Sequence, residues 1–135
     1  MSYSIDEIEG IGPTYAAKLG EVGIKTTEAY LERAKDPKGR KALEEETGIE
    51  GKRILKWANM ADLMRISGVG EEYSELLEAA GVDTVKELRN RNAVNLAAKM
   101  AEVNESKKLV RQVPGESQVT KWVEQAKELP PMMTY

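Results

Sequence analysis

The strongest constraint on how this chain can fold is that it repeats itself. Sliding the sequence by 58 positions lays residues 4–32 over 62–90 and pairs seven identities: Ile8 with Ile66, Gly10 with Gly68, Gly12 with Gly70, Tyr15 with Tyr73, Leu19 with Leu77, Gly23 with Gly81 and Thr26 with Thr84. Ser4 with Asp62, Ile5 with Leu63, Ile11 with Val69 and Ile24 with Val82 keep their chemistry. A fainter register at an offset of 65 sets Lys56-Trp57 on Lys121-Trp122, Ile54 on Val119 and Ala61 on Ala126. Self-similarity at a fixed spacing means that one supersecondary unit is used twice, and the change of offset implies about seven extra residues in the second copy. They are expected in a loop over 104–115, where Asn, Ser, Pro and Gly gather. The chain therefore reads as units 1–61 and 62–129 with a tail 130–135, one compact domain overall.

The punctuation inside each unit is helical. Ser4 and Asp62 are placed to cap one-turn helices ending at Ile8 and Ile66, because a side-chain oxygen there can accept from orphan first-turn amides. Gly-Ile-Gly at 10–12 and Gly-Val-Gly at 68–70 then turn into helices predicted at 13–22 and 71–80. Pro13 suits a first helical position, where the missing N–H costs little. Gly23 and Gly81 suit the stop after the last turn. Thr26, Thr84 and Asp36-Pro37 start further helices, the last running to a stop at Gly48. Ile54, Trp57, Ala58 and Ala61 recur at three- and four-residue spacing, as do Val119, Trp122, Val123 and Ala126, so both stretches are amphipathic helices. No strict alternation is sustained. The expectation is an all-α fold of about nine or ten short helices in two pseudo-repeated units.

The segments Ile8-Glu9-Gly10-Ile11-Gly12-Pro13-Thr14-Tyr15 and Ile66-Ser67-Gly68-Val69-Gly70-Glu71-Glu72-Tyr73 resemble the helix-hairpin-helix motif, an apolar residue and a Gly-apolar-Gly hairpin followed by a helix with a small residue, here Ala16 or Ser74, in its first full turn. The glycines permit the sharp turn, and Ile11 or Val69 plugs the gap between the helices. Over nearly its whole length the chain is similar to bacterial proteins grouped as a domain of unknown function and built from two such units with Trp-bearing helices. The resemblance implies a fold and no activity. It also implies that a hairpin of this kind holds a nucleic-acid backbone without reading sequence, in some members with a monovalent cation at the hairpin carbonyls. A helix N-terminus with free amides is a natural seat for a phosphate. The candidate nucleic-acid or partner-binding residues are therefore Gly10, Ile11, Gly12, Thr14 and Lys18 in the first hairpin, and Gly68, Val69 and Gly70 in the second.

Charge separates the two hairpins. Over 8–27, Glu9 and Glu21 balance Lys18 and Lys25, whereas over 66–85 Glu71, Glu72, Glu75, Glu78 and Asp83 meet no Lys or Arg. Glu71 and Glu72 stand in the first helical turn, satisfying the dipole themselves and repelling phosphate. The first hairpin is the better clamp, although Pro13 removes an amide donor and Glu9 sits beside the turn. Arg33, Lys35, Lys38, Arg40 and Lys41, the group Lys52, Arg53 and Lys56, and the group Lys107, Lys108 and Arg111 read first as solvated faces and second as auxiliary phosphate patches. Trp57 and Trp122 read as core rather than partner anchors, since the chain has no Phe to fill the same space. Glu44-Glu45-Glu46 reads as a solvated helix face, and the tail around Met132-Met133-Thr134-Tyr135 as frayed.

With neither His nor Cys in the chain, the commonest general base, thiolate nucleophiles, zinc-thiolate sites and disulfides are all excluded. The expectation is a protein that is not an enzyme, carries no cofactor or metal, and lacks both a leader and a membrane span, hence cytoplasmic. A net charge of -3 argues against coating nucleic acid by bulk positive charge. The leading expectation is a small interaction module that binds an as yet unidentified protein partner; the alternative is sequence-independent binding of a DNA or RNA backbone through the first hairpin.

Overall fold

The computed structural model describes residues 3–135, and among them every regular element is helical. A 3-10 turn at Ile5–Glu7 leads into α1 (Pro13–Glu21), α2 (Thr27–Ala34), α3 (Pro37–Thr47), α4 (Gly51–Leu63), α5 (Glu71–Ala79), α6 (Val85–Leu88), α7 (Ala93–Lys107) and α8 (Glu116–Glu128). Local chemistry sets most of these boundaries. The hydroxyls of Thr26 and Thr84 and the carboxylate of Asp36 accept from the amides of Ala29, Glu87 and Gly39, satisfying first-turn donors. Gly48 ends α3 in the left-handed region, as does Gly23 after α1 and Gly81 after α5.

The α-helices number eight among the described residues, not nine or ten. The difference lies at the start of each unit. Ile5–Glu7 is a 3-10 turn rather than an α-helix; Ser4 does stand at its N-cap, its N–H donating to the Glu7 carboxylate while its hydroxyl donates to Asp6. Residues 3–5 run instead beside 25–27, where Ile5 N–H donates to the Lys25 carbonyl and Thr27 N–H to that of Tyr3, making one isolated antiparallel bridge. In the second unit α4 continues straight through Asp62, so no separate one-turn helix forms there. Asp62 does cap a helix, but a distant one. Its buried carboxylate accepts from Val85 N–H at the start of α6 at 2.8 Å and from Arg65 at 2.7 and 2.9 Å. The loop expected over 104–115 is also shorter than the composition suggests, since α7 runs on to Lys107 and the loop occupies 108–115. Asn104 is part of the helix, and its amide clasps both the N–H and the carbonyl of Val110.

Buried residues form two clusters. The first gathers Ile5, Ile8, Ile11, Leu19, Tyr30, Leu43, Ile54, Trp57 and Met64 around α1–α4; the second gathers Leu63, Ile66, Val69, Leu77, Val85, Leu96, Met100 and Trp122 around α5–α8. The tail, expected to fray, docks instead. Met133 is 7% exposed and belongs to the first cluster although it follows α8. Thr134 N–H donates to the Lys35 carbonyl, Arg40 donates to the Thr134 carbonyl, and the Tyr135 hydroxyl donates to Asn59 at 2.6 Å. Apolar burial plus these bonds outweighs the entropy that favours a loose end.

Candidate functional site: the two hairpins and the groove between them

Both hairpins follow the same local rules. Ile11 N–H donates to the Ile8 carbonyl and Val69 N–H to that of Ile66, each closing a four-residue turn whose third residue is a left-handed glycine: Gly10 at φ +97° and Gly68 at φ +90°. Gly12 and Gly70 then cap α1 and α5 in extended backbone, with no side-chain cap. Behind each turn lies an indole. Tyr15 meets Trp57 edge-on at 5.1 Å between ring centres, and Tyr73 meets Trp122 at 5.2 Å. Trp57 and Trp122 are both core, each 2% exposed.

Among the candidate residues, Gly10, Gly12, Thr14 and Lys18 form an exposed strip along the start of α1. A side chain at Gly12 would meet nothing within 4 Å, so the approach to this helix start is open. Gly68 is exposed, and Gly70 is half-buried with the same open space before it. Ile11 and Val69 are buried plugs and offer a partner no surface.

The structure adds a groove that local pattern did not reveal. It has a volume of about 700 Å³; Glu9 and the start of α5 (Glu71, Glu72, Glu75) line one side, and Lys108 and Arg111 the other. Glu9 comes from the first hairpin and the other carboxylates from the second, so the groove joins the two. Lys108, left-handed at φ 50°, begins the loop that forms the far wall. Arg111 stands 3.8 Å from Glu72, so at least this member of the basic group lies beside a carboxylate, and Lys108 lines the same groove. No periodicity signals this meeting, because it depends on how two units sit together.

Carboxyl chemistry dominates the groove. A hydrogen bond with Glu9, then burial and the charges of Glu9, Glu72 and Glu7, push the Glu71 carboxyl up to about 7. Burial first, then Glu9, raises Glu75 as well, against the pull of Lys56. An acid whose folded value lies above its unfolded one stabilises the fold below the unfolded value, and that contribution is lost as pH rises through the folded one. Stability should therefore decline between about pH 4.5 and 7, by no more than about 1 kcal/mol, because Glu71 is largely solvated and its interactions are screened. Glu9→Gln should flatten this decline and raise the melting temperature at pH 8 while changing little at pH 5. Parallel melts of both proteins across this range check it; an unchanged slope would mean that Glu9 is not what raises the Glu71 carboxyl.

Five members of the first two basic groups are engaged within the fold. Arg33 pairs with Glu46 at 2.7 Å and Lys35 with Glu32 at 2.8 Å, while Arg40 packs over the Tyr135 ring. Arg53 lies over Tyr15 and Lys56 stands 3.9 Å from Glu78. The Glu44–Glu46 run is more than a solvated face, since Glu44 accepts from Gly51 N–H at the start of α4. Among the described residues no group of three or more Asp or Glu is arranged to hold a metal, and no helix is long and apolar enough to cross a membrane.

Residues 9–129 match a sequence family described as a domain of unknown function, DUF4332. No curated protein and no solved structure matches the chain.

Proposed function

The chain belongs to that family of unknown function, and we propose that it is a non-catalytic interaction module of two helix-hairpin-helix units that binds a basic segment of a protein partner in the groove between its hairpins. The paired left-handed glycines, buried plugs and Tyr–Trp contacts support the reading as two copies of one unit. One observation carries the choice of ligand: Glu9 reaches across from the first hairpin to the start of α5, where Glu71, Glu72 and Glu75 already stand. A backbone phosphate at the second hairpin would meet carboxylates, whereas Lys and Arg side chains would find acceptors there.

The first hairpin supports the second reading, in which the module holds a nucleic-acid backbone. Its α1 has no acid in the first turn, an open approach at Gly12 and an exposed Lys18. Fluorescence anisotropy with a labelled lysine-rich peptide and a labelled DNA duplex, at low and moderate salt, separates the two. The peptide should bind and the duplex should not. Glu71→Lys with Glu72→Lys should abolish peptide binding and create weak, salt-sensitive duplex binding, because lysines there would join the helix dipole in attracting phosphate. Duplex binding by the unaltered protein, lost in Lys18→Glu, would overturn the protein-binding reading in favour of the first hairpin.

A further inference from the structure

The methionines differ in their access to solvent. Met60, Met64 and Met100 are fully buried and Met133 nearly so, whereas Met132 is only partly buried where it packs against the first cluster. Met132 also lines a cavity of about 250 Å³ enclosed by the tail, α2 and the end of α4, which reaches solvent at the exposed Glu28 and Glu32. On either side of Met132 the tail is pinned. Arg89 donates to the Leu129 carbonyl at 2.6 Å, and Thr134 and Tyr135 make their hydrogen bonds with Lys35, Arg40 and Asn59. Between these points Pro130 and Pro131 are exposed and have no N–H to donate. The middle of this strap is therefore held by the apolar contacts of Met132 and Met133.

Oxidation would undo that contact. The thioether sulfur attacks a peroxide oxygen, the O–O bond breaks and water leaves, so the sulfur gives up two electrons and gains a polar S=O group while the peroxide is reduced. Susceptibility follows exposure, which puts Met132 ahead of the core methionines. Its surroundings suit a thioether better than a sulfoxide. Glu28 and Glu32 line the same cavity as acceptors that repel the S=O oxygen, and Arg65, the one cation of that lining, already donates from Nε and Nη2 to Asp62. A strong new acceptor in partial burial with few free donors is costly. We propose that Met132 is an oxidation site and the latch of the tail: a peroxide-class oxidant converts it to the sulfoxide, and residues 130–135 leave their seat on the first unit. Reduction of the sulfoxide restores the thioether and closes the strap again.

The test treats the whole protein with dilute hydrogen peroxide, maps oxidation by peptide mass spectrometry and follows solvent exchange of the Thr134 amide by nuclear magnetic resonance. Met132 should oxidise about tenfold faster than Met60, Met64 and Met100. Once it has, the Thr134 amide should exchange about tenfold faster, because its bond to the Lys35 carbonyl opens. A methionine sulfoxide reductase should return it to the starting rate. Met132→Leu keeps the apolar contact without the sulfur and should hold the tail through the same treatment, whereas Met132→Gln should loosen it without peroxide. Oxidation of Met132 no faster than that of the core methionines would overturn the proposal, as would complete oxidation with Thr134 exchange unchanged. Peroxide release of the tail in Met132→Leu as readily as in the unaltered protein would move the latch to Met133 and overturn it equally.

Discussion

Gly39→Ala is expected to destabilise the fold by about 2–4 kcal/mol, enough to lower the melting temperature by roughly 10 °C. Gly39 is the third residue of α3, and its N–H donates to the Asp36 cap at 2.7 Å. A Cβ there would stand 1.9 Å from the carbonyl oxygen of Arg33 and 3.0 Å from the Asp36 carboxylate. Neither neighbour can give way cheaply. Arg33 lies in the last turn of α2, only Lys35 and Asp36 separate that helix from α3, and moving the carboxylate breaks the cap. Gly20→Ala provides the contrast, since nothing lies within 4 Å of that site and alanine favours a helix interior; it should leave stability unchanged or raise it slightly. A Gly39→Ala variant that melts with the unaltered protein would show that α2 and α3 do not approach this closely.

The hairpin glycines should divide into two classes. Gly10→Val and Gly68→Val are expected to cost about 1–3 kcal/mol each, because a branched side chain is forced into the left-handed region. At Gly10 the new Cβ also presses on the Trp57 indole nitrogen, 3.2 Å away, whereas at Gly68 the Trp122 nitrogen lies at 3.4 Å, an ordinary contact. Gly12→Ser and Gly70→Ser should fall within about 0.5 kcal/mol of the unaltered protein, since both positions are extended, open and well suited to a capping hydroxyl. From sequence, all four glycines are equivalent members of a Gly-apolar-Gly turn. Backbone angles separate them. Thermal melts check the split, and equal losses at all four would contradict the turn geometry. Gly12→Ser that melts normally but no longer binds a ligand would place Gly12 at a contact.

What was legible in the sequence is what is decided within a few residues. Thr26, Thr84 and Asp36 cap the amides three positions on, and Gly23, Gly48 and Gly81 stop helices by their own backbone freedom, so those boundaries follow from residue type alone. The burial of both tryptophans was legible too, from helical spacing. Asp62 was not. The residue looks like an N-cap, and only the tertiary meeting of α4 with the start of α6 shows which amide it serves. Glu9 and Glu71 are 62 positions apart, and nothing in either hairpin reports that their carboxyls share a site. The three-way tie of Arg33, Asp36 and Gly39 is local in sequence, yet it depends on the angle between two helices, which no residue pattern encodes.

The seat of Met133 has a consequence for how the protein is made. Translation delivers α1 to α4 first, but the layer they form is complete only when a residue that follows α8 arrives to cover it. Until residue 133 leaves the ribosome, the nascent N-terminal half carries an apolar gap beside Lys35 and Asn59 and lacks the hydrogen bonds that Thr134 and Tyr135 bring. The first cluster therefore closes completely only after the tail emerges, although domains usually close in the order in which they emerge.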